Sequence, residues 1–427
     1  MSNFKSFDDP YLIFSIEKFE ISNEGEDQNF SSIFTDKDYK KVRYYIGSEN
    51  KNSFKIFFDY GFQATLKQIK KRLDLIGYSL LETAKKYENY RKHIEPYFSG
   101  IMTFEEYYND FVNINIKESD VIKYCIENEL PGMNGSYDLG EYEEKVINGV
   151  KKIYNSPKIL FKENYGKFIM PKSIFSTSEY FVDREFYGQI DPLIKLRILA
   201  DNPENLDLKV TWRPIDFIKG NLFSKQDIFK ERYFDKILIA TEGKTDAYIL
   251  SKVLEELFPE IADIFYFFDY SREESLNVSG CKDLHKFCKY ITQTTHGKII
   301  ALFDNDGDGD REYHEAKKLE EKDLLVTKLP NLKQYDKYIK ESPWGEEELN
   351  LNGKAIAIEF FLDIPQKFEI KWEKGKNVQG KLKDKIKYQH AFEDAVKEKK
   401  LNTTSYNTEK LEYLINYLIE KWIEFIE

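Results

Sequence analysis

The chain has few cysteines and no long apolar segment. Its three cysteines, Cys125, Cys281 and Cys288, are too few for a disulfide framework, so we expect a reducing compartment. No run approaches the roughly 18 apolar residues that a membrane-spanning helix needs. The N-terminus also lacks a basic region followed by an apolar stretch. These absences predict a soluble, cytoplasmic protein.

The chain also lacks the basic excess that is typical of a general polyanion binder. Its formal net charge is −11, so any contact with nucleic acid must come from local basic patches, because attraction to phosphate is short-ranged in salt. Walker loops and nucleophile elbows are missing as well, which leaves any ATPase activity to a separate protein. The length of 427 residues suggests two or three globular domains.

The pattern after residue 235 is one of short apolar strands that alternate with helices. The predicted strands are 236–240, 264–268, 298–303 and 324–328, and the predicted helices are 246–258, 282–291 and 311–321. Apolar strands without polar alternation indicate a parallel sheet that is covered on both faces. We therefore predict an α/β domain, with a parallel sheet of about four strands flanked by helices.

The remaining chain is predicted to be mixed. An α+β N-terminal domain is expected at 1–90, because residues 11–22 alternate like strands and 63–89 contain two helices that are broken at Gly77. The second helix should begin at Ser79, whose spacing to Glu82 is that of a capping box. A largely helical middle region at 91–230, with a helix near 121–129 and a strand at 206–212, and a basic C-terminal segment with helices at 366–427 complete the predicted organisation.

Carboxylates follow the predicted strands of the α/β domain. Glu242 follows the first strand, Asp269 the second, and Asp304, Asp306 and Asp308 the third. Ligands of such sheets bind beyond the carboxyl ends of the strands, so we expect these side chains at one edge. Carboxylate oxygens suit a hard cation, which makes Mg²⁺ or Mn²⁺ the expected cofactor.

Two other interpretations of this acidic run are a solvated loop and a calcium site. Residues 304–315, DNDGDGDREYHE, fit the EF-hand loop, with Gly309 at its sixth position and Glu315 at its twelfth. An EF-hand requires a helix before the loop, whereas 298–303 reads as a strand. Cys281, His285 and Cys288 share one helical face and form a further candidate, for zinc, without an evident fourth ligand.

A basic stretch lies near the C-terminus. Residues 371–387 hold seven lysines against two acids. Such a run is either a solvated face or a surface that guides phosphate groups toward the acidic site. Lys381, Lys383 and Lys385 are the candidate nucleic-acid contacts.

The motifs TEGKTD (241–246) and DND (304–306), each placed after a strand, resemble the Toprim domain of topoisomerases, primases and the overcoming-lysogenization-defect class of nucleases. The resemblance implies a Toprim domain at 231–365. It also implies that Glu242 is a general acid/base or metal ligand and that Asp304 and Asp306 hold Mg²⁺. Residues 353–362, GKAIAIEFFL, resemble a late motif of the nuclease branch, which makes Lys354 a candidate catalytic residue and Glu359 a candidate metal ligand. The sequence equally allows Glu359 to be a surface helix residue.

Residues 14–22 (FSIEKFEIS), 31–41 (SSIFTDKDYKK) and 72–83 (RLDLIGYSLLET) are similar to the N-terminal domain of the HEPN/Toprim family, bacterial proteins predicted to be nucleases. The R-x4–6-H motif of catalytic HEPN domains is absent, so we assign no catalysis to this part. The resemblance implies a Mg²⁺-dependent nuclease acting on DNA or RNA, in antiphage defence or RNA processing. The alternative is a non-catalytic subunit that senses a nucleotide or scaffolds a defence complex. A separate ATPase or sensor protein and a second copy of the chain are further candidate partners.

Overall fold

The computed structural model describes about two thirds of the residues. The described residues are 14–16, 19–20, 30–47, 54–96, 101–112, 161–163, 166–168, 190–212, 236–268, 278–294, 297–342, 345–373 and 379–427. The chain divides into two compact units, the first made of Met1–Glu231 with Glu427 and the second of Arg232–Ile426. Each unit is described by itself.

The first unit is built on a mixed sheet. Its strands in the described residues are β1 (Phe14–Ile16), β2 (Phe19–Glu20), β3 (Tyr39–Gly47), β4 (Phe54–Thr65), β5 (Phe161–Glu163), β6 (Gly166–Phe168) and β7 (Lys209–Trp212). They lie in the order β3-β4-β7-β1-β2-β6-β5, with all neighbours antiparallel except β2 and β6. The strands predicted within 11–22 and 206–212 are confirmed.

The helices of this unit are α1 (Leu66–Leu75), α2 (Leu80–Ile94), α3 (Phe104–Val112) and α4 (Pro192–Leu199) in the described residues. The break at Gly77 is confirmed, since its φ of +89° lies in the left-handed region that favours glycine. Ser79 caps α2 by accepting a hydrogen bond from the Glu82 amide. The helix predicted near 121–129 lies outside the described residues.

Helix α4 is buried along its whole length, and its charges are paired. Arg197 Nε donates to Asp74 Oδ1 at 2.7 Å, and Lys70 Nζ lies 2.7 Å from Asp201 Oδ1, which Arg197 also contacts. Charges removed from water need such partners, because an unpaired one is strongly destabilising. These ion pairs join α1 to α4 and to Asp201, which follows α4.

The second unit contains the predicted parallel sheet. Its strands are β8 (Ile237–Thr241), β9 (Phe265–Tyr266), β10 (Lys298–Phe303) and, after the short β11 (Asn305–Asp306), β12 (Leu324–Lys328). The sheet order is β12-β10-β8-β9, and all neighbours are parallel. The helices between them are α5 (Lys244–Leu257), α6 (Cys281–Thr294) and α7 (Gly307–Ala316). Because every residue of β8 is buried, both faces of the sheet are covered, and the predicted α/β architecture is confirmed.

Short strands and two helices complete the second unit. They are β13 (Tyr338–Ser342), β14 (Gly345–Leu349), β15 (Ala355–Ile356), β16 (Ile370–Glu373), β17 (Gln379–Leu382), α8 (Lys385–Lys397) and α9 (Glu409–Ile426). β13 pairs with β14, β15 with β11, and β16 with β17, each antiparallel. Within the described part of the chain, none of the helices has the length and apolar character needed to cross a membrane.

Candidate active site at the carboxyl edge of the parallel sheet

Two acidic residues meet where neighbouring strands end. Thr241, the last residue of β8, lies opposite Leu302 of β10 in the parallel register. Glu242 directly follows β8 and Asp304 directly follows β10, which ends at Phe303, so both leave the sheet at the same edge, and the Asp304 amide donates to Glu242 Oε1 at 2.8 Å. The structure thus brings together two carboxylates that lie 62 residues apart in the chain.

The third acidic residue of this group, Asp306, begins helix α7. Its Oδ1 accepts hydrogen bonds from the amides of Asp308 at 3.1 Å and Gly309 at 2.8 Å. Gly309 allows the close approach of this first turn, since a Cβ there would lie 2.5 Å from the Asp304 carbonyl oxygen and 3.1 Å from Glu242 Oε1. The partially positive N-terminus of α7 consequently faces the carboxylates.

The surroundings of these carboxylates disfavour their charged forms. Burial raises the pKa of Glu242 from its ordinary value of 4.5 to about 8, and nearby carboxylates add to the effect. Burial and the charge of Glu242 raise the pKa of Asp304 well above its usual range, and burial also raises the pKa of Asp306. Each of the three residues nevertheless keeps some solvent exposure. They therefore form a repulsive cluster that a small cation from solvent would relieve.

The sequence interpretation assigned no role to Asp246, although it lies within the TEGKTD motif. Asp246 is in the first turn of α5, and burial raises its pKa to about 7, with a further contribution from the charge of Glu359. A signal was available, because Asp246 follows Glu242 by four residues at the start of a helix beside the same strand end. Hereafter, the acidic cluster denotes Glu242, Asp246, Asp304, Asp306 and Glu359.

Glu359 is a buried member of this cluster. It lies in a 3-10 turn, Ile358–Phe361, and only 4% of its surface is exposed, so the interpretation as a surface helix residue is wrong. Gln389 Nε2 donates to Glu359 Oε1 at 2.6 Å, and Lys385 Nζ lies 3.6 Å from the same oxygen. The charge of Glu359 contributes to the raised pKa values of Asp246 and Asp304. Its position joins the late GKAIAIEFFL segment to the strand-end carboxylates.

Lys354 lies beside Asp306 through the backbone. The two residues form an isolated bridge next to the pairing of β11 with β15. The Lys354 side chain is partly exposed and forms no ion pair with any residue that the structure describes. The Lys354 ammonium therefore has no carboxylate partner among the described residues.

The remaining acids of the DNDGDGD run are turned toward other partners. Asp308 is 44% exposed and pairs with Arg311 at 3.2 Å, although its charge still contributes to the raised pKa of Glu242 and of Asp306. Asp310 pairs with Lys328. Asp269 lies outside the described residues. The run thus divides into inward carboxylates at 304 and 306 and paired, more exposed ones at 308 and 310.

The three candidate lysines pair with three different carboxylates. Lys381 pairs with Glu373 at 2.6 Å, and that hydrogen bond, with smaller contributions from Asp306 and Asp308, raises its pKa. Lys385 lies beside Glu359, as described above. Lys383 pairs instead with Glu369 at 2.6 Å, and its pKa is raised mainly by that hydrogen bond and by the charges of Glu369 and Asp384. Lys381 and Lys385 are therefore the two near the acidic cluster.

The EF-hand interpretation of residues 304–315 is wrong. The segment follows a strand, β10, and from Gly307 onward it is helix α7. Glu315, which would close the calcium loop, pairs on the exposed helix surface with Lys318 at 2.7 Å. A calcium-binding loop cannot form while nine of its residues are helical.

The zinc candidate on α6 is divided between the core and an acidic partner. Cys288 is fully buried in the hydrophobic core, and burial raises the pKa of its thiol to about 12. His285 Nδ1 lies 2.8 Å from Glu312 Oε2. Cys281 lies near the acidic cluster, where burial and the charge of Glu242 raise its pKa to about 12. Two neutral thiols that face different surroundings do not favour a shared metal ion.

The donor chemistry of the acidic cluster fits a hard divalent cation, because every donor is an oxygen. Its metal-free geometry is more open than a bound site: no three His, Cys, Asp or Glu side chains of the described chain are arranged to hold one ion. Two of the carboxylates already accept glutamine amides. A cation would therefore have to draw the carboxylates together from this arrangement.

The fold and this edge define an α/β protein with a carboxylate cluster beyond its parallel strands. The family model "HEPN/Toprim N-terminal domain 1" matches residues 11–233, which is just over half of the chain, and the chain belongs to that family. Comparison with curated proteins gives no match. Comparison with solved structures gives none either. The matched region extends past the 1–90 stretch that carried the resemblance and ends before β8, so the acidic cluster lies outside it.

Proposed function

We propose that this chain is a Mg²⁺-dependent nuclease of Toprim type that hydrolyses phosphodiester bonds of DNA or RNA, in antiphage defence or RNA processing. The observation that carries the proposal is the convergence of Glu242, Asp304 and Asp306 from two neighbouring parallel strands at one sheet edge. Membership of the HEPN/Toprim N-terminal family supports a function related to nucleic acid.

The cation would be held by carboxylates of this edge, drawn from Asp304, Asp306, Asp308, Glu359, Glu242 and Asp246. When bound, Mg²⁺ supplies a Lewis acid that polarises a phosphate and lowers the pKa of a water molecule. Raised pKa values are typical of such sites, since clustered carboxylates resist ionisation until a counter-charge arrives. The negative cluster would otherwise repel a nucleic-acid substrate.

The protein's own groups have separate tasks in this proposal. Glu242, whose pKa burial raises to about 8 in the protein without metal, would exchange a proton with a reacting oxygen as a general acid or base where it does not itself hold the cation. Lys354, whose backbone is bridged to Asp306, would stabilise with its ammonium the negative charge that develops on the phosphate. Lys381 and Lys385 attract the nucleic-acid backbone to this edge.

The test is cleavage of a supercoiled plasmid and of total RNA by the purified full-length chain with Mg²⁺, Mn²⁺ or EDTA. Metal-dependent cleavage should be lost in Asp304→Ala and retained in Glu315→Ala. Glu315 is the matched control, because it belongs to the same acidic run but pairs with Lys318 on the exposed surface. Cleavage that persists in Asp304→Ala would place the chemistry elsewhere.

One observation favours the non-catalytic alternative, a nucleotide-sensing or scaffold subunit of a defence complex. In the described residues, the carboxylates are not already arranged around a single point, as they are in many preorganised catalytic sites. A scaffold would bind neither Mg²⁺ nor Mn²⁺ through Asp304 and would cleave neither substrate. The same assay, combined with measured Mn²⁺ binding, separates the two functions.

A further inference from the structure

A glutamine side chain from the C-terminal segment reaches into the acidic cluster. Gln379, the first residue of β17, is buried, and its Nε2 donates to Asp306 Oδ2 at 3.1 Å across 73 residues of sequence. The other oxygen, Oδ1, already accepts the Asp308 and Gly309 amides. Both oxygens of the Asp306 carboxylate therefore accept hydrogen bonds, Oδ1 from the N-terminus of α7 and Oδ2 from β17.

The backbone next to Gln379 is closely packed against neighbouring segments. Gly380 N donates to the Lys354 carbonyl oxygen at 2.8 Å, which fixes β17 against the segment before β15. A Cβ at Gly380 would lie 2.6 Å from Ile370 Cγ2 and 3.1 Å from Ala355 Cβ, so only glycine permits this contact. This hydrogen bond and this close packing fix the position of β17 beside the segment that contains Lys354.

A second glutamine acts on the other side of the cluster. Gln389 Nε2 donates to Glu359 Oε1 at 2.6 Å, and Lys385, one turn earlier on α8, lies 3.6 Å from the same oxygen. Residues four apart share one face of a helix, so α8 presents both groups to Glu359 together. Glu359 is buried, and a buried carboxylate is strongly destabilising without such donors.

The two glutamines are neutral donors, and this distinguishes them from the nearby lysines. An ammonium group that was buried against Asp306 would cancel its charge and compete with a cation for it. The Gln379 amide fixes the direction of the Asp306 carboxylate and leaves its negative charge available to a metal, whereas Glu359 has the Lys385 ammonium 3.6 Å from the oxygen that Gln389 contacts. Hydrogen-bond partners of this kind are what orient the ligands of metal sites.

We infer that Gln379 and Gln389 are positioning residues of the acidic cluster, which orient Asp306 and Glu359 and thereby set its affinity for a divalent cation. The inference rests on the proposed metal-dependent function. It assigns to the C-terminal segment, β17 and α8, the completion of a site whose carboxylates come from elsewhere in the chain. These contacts are those of the protein without metal.

The test measures Mn²⁺ binding to the full-length chain by electron paramagnetic resonance. The proteins compared are the wild type, Gln379→Met, Gln389→Met and Gln366→Met. Methionine keeps the length of the side chain and removes the donor. Gln366 is an exposed glutamine of the same C-terminal segment and serves as the matched control. We expect the first two variants to bind Mn²⁺ about 10- to 100-fold more weakly and to alter the spectrum of the bound ion, while the control matches wild type.

A purely structural role would not change the bound-ion spectrum at temperatures well below unfolding, and circular dichroism in EDTA checks that the variants are folded. Wild-type binding together with unchanged affinity and spectrum in both folded variants would overturn this inference and leave the proposed function standing. Absence of Mn²⁺ binding by the wild type would overturn both. If one variant fails to fold, the other decides the inference by the same criterion, because the two glutamines act on different carboxylates.

Discussion

In the absence of metal, replacing Glu242 by glutamine should stabilise the protein, but only above about pH 4.5, the ordinary pKa of this carboxyl. The ordinary pKa of this carboxyl is 4.5, and burial raises it to about 8 in the folded protein. The folded state therefore holds a proton that the unfolded chain releases, so stability falls as the pH rises from 4.5 and stops falling above pH 8. Glutamine carries no titrating group, and its Oε1 can still accept the Asp304 amide.

The size of the effect follows from the same two values. For each pH unit above the pKa of the unfolded state, the free energy of unfolding falls by about 1.4 kcal/mol. At pH 7 the wild-type carboxyl therefore lowers the free energy of unfolding by up to about 3 kcal/mol. At pH 4.5 this contribution falls to about 0.4 kcal/mol, and it vanishes at lower pH. Glu242→Gln should accordingly nearly match wild type at pH 4.5 and exceed its free energy of unfolding by up to about 3 kcal/mol at pH 7.

The assay is urea unfolding in EDTA at pH 4.5, 6 and 7, for wild type, Glu242→Gln and Glu346→Gln. Glu346 is an exposed glutamate on β14 and should show no pH-dependent gain. A Glu242→Gln variant that is less stable than wild type at every pH, or equally stable at all three, would refute the assignment of a buried, repelled carboxylate. Added Mg²⁺ should reverse the ranking, because the ion binds the folded wild type better.

Three further outcomes are expected. Mg²⁺ or Mn²⁺ should raise the melting temperature of the wild type, by the equivalent of about 2.7 kcal/mol at roughly a hundredfold excess over Kd, and Asp304→Ala should abolish the gain; equal melting with cation and EDTA would argue against the site. Replacing Lys381 and Lys385 by Gln should lower the salt dependence of duplex binding by ~0.9 per lost phosphate contact, whereas Lys383→Gln should not; identical slopes would make the lysines a solvated face. Gly309→Ala should reduce the free energy of unfolding in urea by about 1–3 kcal/mol, because its Cβ would lie 2.5 Å from a backbone oxygen; full stability would contradict the close approach of α7.

The parts of the fold that could be predicted are those with a local signal. The apolar strands 298–303 and 324–328 were placed correctly, because an uninterrupted apolar run of this length must be buried on both faces. Residues 236–240 shifted by one position to Ile237–Thr241. The first predicted helix of the N-terminal unit began too early, since Gln63 and Thr65 belong to the long strand β4, whose pairing with β7 cannot be seen locally.

The parts that could not be predicted depend on contacts between distant segments. Nothing in the basic stretch distinguishes Lys383 from its neighbours, yet it pairs with Glu369 across the β16–β17 hairpin while Lys381 approaches the cluster. The donors Gln379 and Gln389 carried no motif at all. A polar side chain acquires such a role only when the fold brings a partner to it.

The sequence by itself determined the parallel sheet and the two acidic turns at its edge, because strand periodicity and the position of each carboxylate after a strand are local properties. Only the tertiary structure decided which acids form a cluster. Asp308 and Asp310 found cationic partners, whereas Glu359 was buried beside Asp246 and Asp304. The physical reason is that burial and the summed charge of neighbours depend on distances through space, and these distances are fixed only when the C-terminal segment packs against the sheet edge.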